Sequence, residues 1–311
     1  MKSVLGAMGL AILAAPSAAF AGDIIISQEE ARALVGNPNV VFLFAGTDAA
    51  FEAGHIAGSS HAFSHDMQYL EDVRNCDGLP MCEATAEAFI GNLGIGNDTQ
   101  VVIYEDGKGV NESGALFFLE LYGHTNAQIL EGGTVDWAAA GGALETGSGS
   151  APAAQTFSAT IDRSMIATMS DVEAGVTDPN TIILDARHAI EEYTGAITKE
   201  GMLNATDHIG VANGGHIPTA IFSPWSKYAG NKNGAAGRPV FRTPAQMQRA
   251  LSRLESKGYT SDSAVITYCH VGLGRGSFQF YGLREAGHNN VRLYVGSWSE
   301  WGNSSNEAAT Q

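Results

Sequence analysis

The 311-residue sequence predicts two α/β units in tandem, each a parallel sheet flanked by helices. Three observations carry this. The chain repeats itself at an offset of 164 residues: Tyr104 falls on Tyr268, Gly123 on Gly287, His124 on His288, Gly132 on Gly296 and Trp137 on Trp301, with no gap. Its apolar runs are continuous instead of alternating, as strands buried on both faces require. Between the halves, "ETGSGSAPAAQTFS" (145–158) has the composition of a flexible linker.

The elements follow in order. Met1-Lys2, the apolar stretch Val4 to Ala15 and the small-x-small Ala19-Phe20-Ala21 read as a signal peptide cut after Ala21. That apolar run is too short to span a bilayer, so the mature protein is expected to be soluble and secreted or periplasmic. Residues 22–144 make the first unit, 145–158 the linker and 159–311 the second unit. In the second, Thr181–Leu184 is a β-branched run and so a strand. Thr243-Pro244 starts a helix expected to reach Lys257, where Gly258 stops it. Ala264–Tyr268 is a strand, Gly276–Ala286 a helix closed by Gly287, and Val291–Val295 a third strand. The first half repeats this plan, with "GHIAGS" (54–59) answering "GHIPTA" (215–220).

Charge is unevenly placed. Residues 22–150 hold three basic side chains (Arg32, Arg74, Lys108) against 19 acidic ones, while residues 151–311 hold 13 basic against 14 acidic. An acidic half beside a neutral one argues against nucleic acid and anionic membranes as partners. An anionic substrate would find its better host in the second half. Of three cysteines, Cys76 and Cys82 lie in the turn-like "CDGLPMC", a spacing that invites a local disulfide in an oxidising compartment; the alternative is two free thiols in a loop. Cys269 is the odd one out.

Cys269 opens "CHVGLGRG", which joins a strand end to a helix start, the edge where α/β sheets bind ligands. Gly272 and Gly274 are free to take positive φ and let successive N–H groups turn inward. The helix adds its unsatisfied amides and the positive end of its dipole. A cysteine in such a nest is expected to have a lowered pKa and to be nucleophilic. The amides of His270, Val271, Gly272, Leu273 and Gly274 are candidate anion donors, and Arg275 adds a fixed charge. Two chemistries fit. One is attack on phosphorus, since Cys-x5-Arg is the spacing of cysteine phosphatases. The other is sulfur transfer through a persulfide.

"ILDARHAIEEYTG" (183–195), "GGHIP" (214–218) and "YVGSWSEW" (294–301), around a Cys loop and in duplicate, resemble the tandem-domain rhodaneses, or thiosulfate and 3-mercaptopyruvate sulfurtransferases. The resemblance covers nearly the whole mature chain. It implies two rhodanese-like domains, the first catalytically inactive and the second catalytic, with Cys269 as sulfur carrier and Arg187 binding the substrate. It implies a small anionic donor, a thiol or cyanide acceptor and no cofactor. The repeat itself points to a silent first domain, because Cys269 falls on Glu105 and "FLFAGTD" has no arginine where the second half reads "IILDARH". The loop departs from the family in detail. Thiosulfate users tend to carry basic residues after the cysteine and mercaptopyruvate users small polar ones, and His270-Val271 matches neither. Many bacterial relatives have arginine sixth in the loop, where this chain has Gly274 and puts Arg275 seventh. A cysteine phosphatase-like enzyme and a non-catalytic sulfur-binding protein are the alternatives.

Other candidates weigh less. His55 and His216 are expected to hold turns. His61 and His65, i to i+4, would face one way on a helix, but no third metal ligand is near and solvated loop positions are expected. Trp298 and Trp301 are expected to pack, with Trp298 bordering the pocket, and Trp225 and Tyr228 are candidates for touching substrate.

Overall fold

The computed structural model describes residues 24–197, 201–202 and 208–310. The expected signal segment, 1–21, lies outside the described residues. Among them, no helix is long and apolar enough to cross a membrane.

Each half folds into a five-stranded, wholly parallel sheet. The first comprises β1 (Ile25–Ile26), β2 (Val40–Phe44), β3 (Ser60–His61), β4 (Gln100–Tyr104) and β5 (Ala127–Leu130), in the order β1-β5-β4-β2-β3. The second comprises β6 (Ile166–Ala167), β7 (Thr181–Asp185), β10 (Ile221–Phe222), β11 (Ala264–Tyr268) and β12 (Val291–Tyr294), in the order β10-β7-β11-β12-β6. The two orders are the same once β6 is matched to β1. A short antiparallel pair, β8 (Gly201–Met202) and β9 (His208–Ile209), stands between β7 and β10. The central strands "VVFLF", "QVVIY", "TIILD" and "AVITY" are almost entirely buried, which explains their continuous apolar character.

Helix boundaries shift slightly from expectation. The Pro244–Ser252 helix, with proline in its first turn and a Thr243/Gln246 capping box, ends before Lys257; one 3₁₀ turn, Glu255–Lys257, follows. Gly258, at φ +94°, closes that turn. The helix after the Cys269 loop spans Arg275–Glu285, beginning one residue early, and β12 ends one residue early at Tyr294.

The halves meet through two repeat-equivalent helices, Val110–Leu121 and Arg275–Glu285. Phe117 meets Phe280 edge-on at 5.1 Å, Tyr281 donates to Glu120 (2.7 Å), and Arg284 pairs with Glu120 (3.4 Å). One buried apolar cluster runs through both halves, containing Ile103 and Val265 alike.

The linker is not free. Gly147 donates to the Glu52 carbonyl and Gln155 to that of Gly91, both at 2.9 Å, and Asn97 exchanges two bonds with Ser158. Phe157 is buried in the common core. Gly91 explains the docking: a Cβ there would stand 2.5 Å from the Gln155 carbonyl oxygen. Small residues here permit close approach instead of flexibility. His61 lies in β3, with Nε2 on the Gly46 carbonyl (2.8 Å), and His65 in the 3₁₀ turn Ser64–Met67. They share no helix face, and both are half-buried instead of solvated. His55 and His216 do hold turns, through Phe51 (2.9 Å) and Tyr193 (2.8 Å) carbonyls.

Cys76 and Cys82 are bonded to each other, Cα atoms 5.4 Å apart, bridging the Leu70–Asn75 and Glu83–Asn92 helices. A loop this short restricts the unfolded chain modestly. Reduction, or a Cys76→Ser/Cys82→Ser pair, should cost about 2 kcal/mol in a denaturant titration. A midpoint unchanged by reduction would contradict this.

Candidate active site

Cys269 follows β11 directly and is 2 % exposed. Gly272 and Gly274 take φ +85° and +137°, as the nest requires, and a Cβ on Gly272 would collide with the Val295 carbonyl. The turn leaves the amides of Val271, Gly272, Arg275 and Gly276 without an acceptor among the described residues. The Leu273 and Gly274 amides, by contrast, are already bonded. The Cys269 sulfur lies 3.6 Å from the Gly272 carbonyl, and a Cβ on Gly276 would stand 3.6 Å from it. The thiol therefore sits against the first turn of the Arg275–Glu285 helix, the positive end of its dipole.

Several groups that hold this loop were missed in the sequence. Ser297, a non-glycine residue at φ +51°, accepts the Cys269 N–H (3.2 Å) and donates to the Tyr294 carbonyl (2.9 Å). A left-handed serine is strained, and here the strain places a hydroxyl behind the cysteine. Trp298 N–H donates to the Cys269 carbonyl (3.2 Å), and the Ser299 amide and hydroxyl both donate to that of His270. The first half also reaches in. Gln68, 1 % exposed, donates to the Val295 carbonyl (2.9 Å) and accepts the Leu273 N–H (3.2 Å). Gly114 packs so closely that a Cβ would lie 3.2 Å from the Gly274 nitrogen. His65 Nε2 is 3.5 Å from where a Gly274 Cβ would stand.

The two arginines singled out in the sequence, Arg187 and Arg275, are placed differently. Arg187 is 1 % exposed. Its Nε donates to both Asp185 oxygens (3.0 and 2.9 Å), and Nη2 donates to Asp185 (2.5 Å) and to the Gly215 carbonyl (2.6 Å). Burial opposes its charge, but Asp185 and Tyr268 outweigh that and hold its pKa above the usual value. The guanidinium lies 4.9 Å over the Trp298 ring, whose backbone supports Cys269. Arg275 is half-buried at the helix start, its side chain with no hydrogen bond or ion pair among the described residues. Trp298 and Trp301 are buried; Trp225 packs on Phe278 (5.4 Å), and Tyr228 lies fully buried against Gly282.

Residues 27–140 and 168–304 each match the model of the Rhodanese-like domain. The chain belongs to that family. The two rhodanese-like domains carry the two sheets described above. The thiosulfate sulfurtransferase of Corynebacterium glutamicum is 30 % identical over 289 residues, covering 90 % of this chain and 87 % of its own. That of Pseudomonas aeruginosa is 27 % identical over 280 residues, covering 90 % and 94 %. Among solved structures, Escherichia coli SseA, described as a 3-mercaptopyruvate sulfotransferase, superposes with TM-score 0.69 at 19 % identity, covering 89 % of this chain and 99 % of its own. Tum1 of Saccharomyces cerevisiae gives 0.70 at 17 %, covering 92 % and 98 %. At these identities the structures speak for the fold.

The first rhodanese-like domain has filled the equivalent position. Strand register pairs Phe44 with Tyr104 as it pairs Asp185 with Tyr268, so Gly46 stands where Arg187 stands. The Glu105 carboxylate, at the cysteine position, folds onto that glycine: a Cβ on Gly46 would lie 2.5 Å from Glu105 Oε1. Its other oxygen accepts from Asn111 (2.9 Å). Oxygens of Glu105, Asp106 and Glu112 lie within 4.8 Å of one another, with Lys108 paired to Asp106. Burial, then the neighbouring charges of Glu105 and Asp106, raise the pKa of the fully enclosed Glu112; burial and Asp106 raise that of Glu105.

Two predictions follow from these contacts. A carboxyl raised in the native state holds its proton better folded than unfolded, so its contribution is present below about 4.5 and lost as pH rises toward about 8. Glu112→Gln should flatten the decline in denaturation midpoint across that window and raise the midpoint at pH 8; a parallel decline in both proteins would exclude Glu112. Gln68→Met keeps the bulk but loses both bonds to the loops. It should destabilise by roughly 1–3 kcal/mol and speed alkylation of the enclosed Cys269 thiol by iodoacetamide several-fold. Unchanged alkylation would show that Gln68 does not hold the loop shut.

Proposed function

We propose that this protein is an exported sulfurtransferase that carries sulfur on Cys269. One observation carries the reading: a single buried thiol faces a loop and helix start that leave four amides without acceptors among the described residues. The named activities of the relatives support it. The Cys269 thiolate attacks the outer sulfur of a small anionic donor. A Cys–S–S bond forms as the donor's own bond to that sulfur breaks. Thiosulfate then leaves as sulfite with the electron pair, and 3-mercaptopyruvate leaves as the enolate of pyruvate, which takes up a proton. The terminal sulfur of the persulfide sits where the Val271, Gly272, Arg275 and Gly276 amides stabilise its negative charge. A thiol or cyanide removes it and restores the thiolate.

In this reading Arg275 meets the donor's charged end. Arg187 serves the same anion only by sharing a guanidinium that Asp185 already holds. His270, Val271, Gly272, Leu273 and Gly274 shape the pocket. The first domain is silent in catalysis, with Glu105 and Gly46 at the positions of cysteine and arginine, and it braces the loop of the second. Export rests on the 1–21 segment together with the Cys76–Cys82 bond.

Intact-mass measurement after incubation with thiosulfate or 3-mercaptopyruvate tests this. One added sulfur atom, absent from Cys269→Ser and released by cyanide, is expected. The donor that loads the protein faster, with sulfite or pyruvate as co-product, identifies the substrate. Protein that gains no sulfur from either, or that hydrolyses an aryl phosphate in a Cys269-dependent way, would overturn the reading.

A further inference from the structure

One segment runs against the charge of the molecule. Residues 225–257 carry seven basic side chains and one acidic, Glu255, in a chain of net charge −16. Four of those cations, Lys227, Arg242, Arg249 and Arg253, line a concavity of about 190 Å³ together with Gln246 and Ala250.

Two of the four are held by carbonyls. Lys227 is half-buried, and its ammonium donates to the Phe222 carbonyl (3.3 Å); Arg242 Nε donates to that of Ala229 (3.2 Å). Arg249 and Arg253 stand one turn apart, at the end of the Pro244–Ser252 helix and its cap, a spacing at which like charges repel. Burial and then the charge of Arg253 weaken the hold of Lys227 on its proton. No carboxylate pairs with any of the four among the described residues. Such a cluster is unfavourable by itself, and an anion with several oxygens relieves it, since guanidinium forks match oxyanions in pairs.

We infer that this concavity binds a small oxyanion carrying two or more negative charges, of the phosphate or diphosphate class. At about 30 Å³ per water the space holds roughly six waters, enough for two linked tetrahedral groups. The site shares no residue with the Cys269 loop and does not rest on the sulfurtransferase reading.

Calorimetric titration of the mature protein with inorganic pyrophosphate, at constant ionic strength, tests the site. One saturable event is expected. Arg249→Gln/Arg253→Gln should weaken it at least about 10-fold through lost charged hydrogen bonds. Arg238→Gln, an exposed arginine of the same segment outside the concavity, should leave it unchanged. These side chains are exposed, and a thermal melt of each variant verifies folding. The inference fails if pyrophosphate gives no saturable binding, or if the double variant binds as tightly as the wild type. It also fails if Arg238→Gln weakens binding as much, which would indicate diffuse attraction, or if an acidic peptide binds where pyrophosphate does not.

Discussion

The face-to-face packing of the Val110–Leu121 and Arg275–Glu285 helices sets most of this structure. Each helix begins at the loop after its domain's central strand, so pressing them together brings the start of the first helix against the Cys269 loop. Gly114, one turn into the first helix, is what lets the Leu273–Gly274 backbone approach. Glu120 and Arg284 occupy repeat-equivalent positions and bear opposite charges, so the pseudo-symmetric contact becomes an ion pair instead of a repulsion. A parallel sheet cannot expose either face, and the interface covers one face of each at once.

The duplicated frame has diverged at its working edge. Ser297 takes φ +51°, the same value as Gly133 at the equivalent place in the first domain. Glycine meets that backbone without strain, whereas serine accepts the strain and places a hydroxyl on the Cys269 N–H. Asp185 and Arg187 replace Phe44 and Gly46, so a buried ion pair stands under the second loop where the first has an aromatic ring and empty space filled by Glu105. Breaking such a pair leaves an uncompensated charge, which accounts for the four bonds around the Arg187 guanidinium.

Much of this was legible in the sequence. Buried parallel strands leave unmistakable apolar runs, and a repeat held without gaps fixes which strand answers which. The Cys269 loop was legible because two positive-φ glycines and a helix start are local features. What escaped depends on distance in sequence. Gln68 meets Leu273 from 205 residues away, and nothing near "DMQYL" marks it. The docked linker misled because glycine permits both flexibility and close approach, and only the opposing surface decides between them. Ser297 was within reach: aligned at the repeat offset it faces Gly133, and a serine on a glycine position is a sign of enforced backbone geometry.

These particulars give the first domain a structural part at the Cys269 loop. Among the described residues, the Cys269 loop and the helix start leave four amides without acceptors, so these do not hold the loop together. Its stability has to come from outside: from Ser297 and Ser299 on one side, and from Gln68 and Gly114 of the first domain on the other. Unsatisfied buried amides cost free energy, and these outside contacts offset that cost. The loop of the first domain, by contrast, is closed by its own carboxylates: Glu112 accepts the Gly107 N–H and Asp106 that of Lys108. The first domain thus carries a carboxylate where the second carries cysteine, while its Gln68 and Gly114 meet the loop of the second.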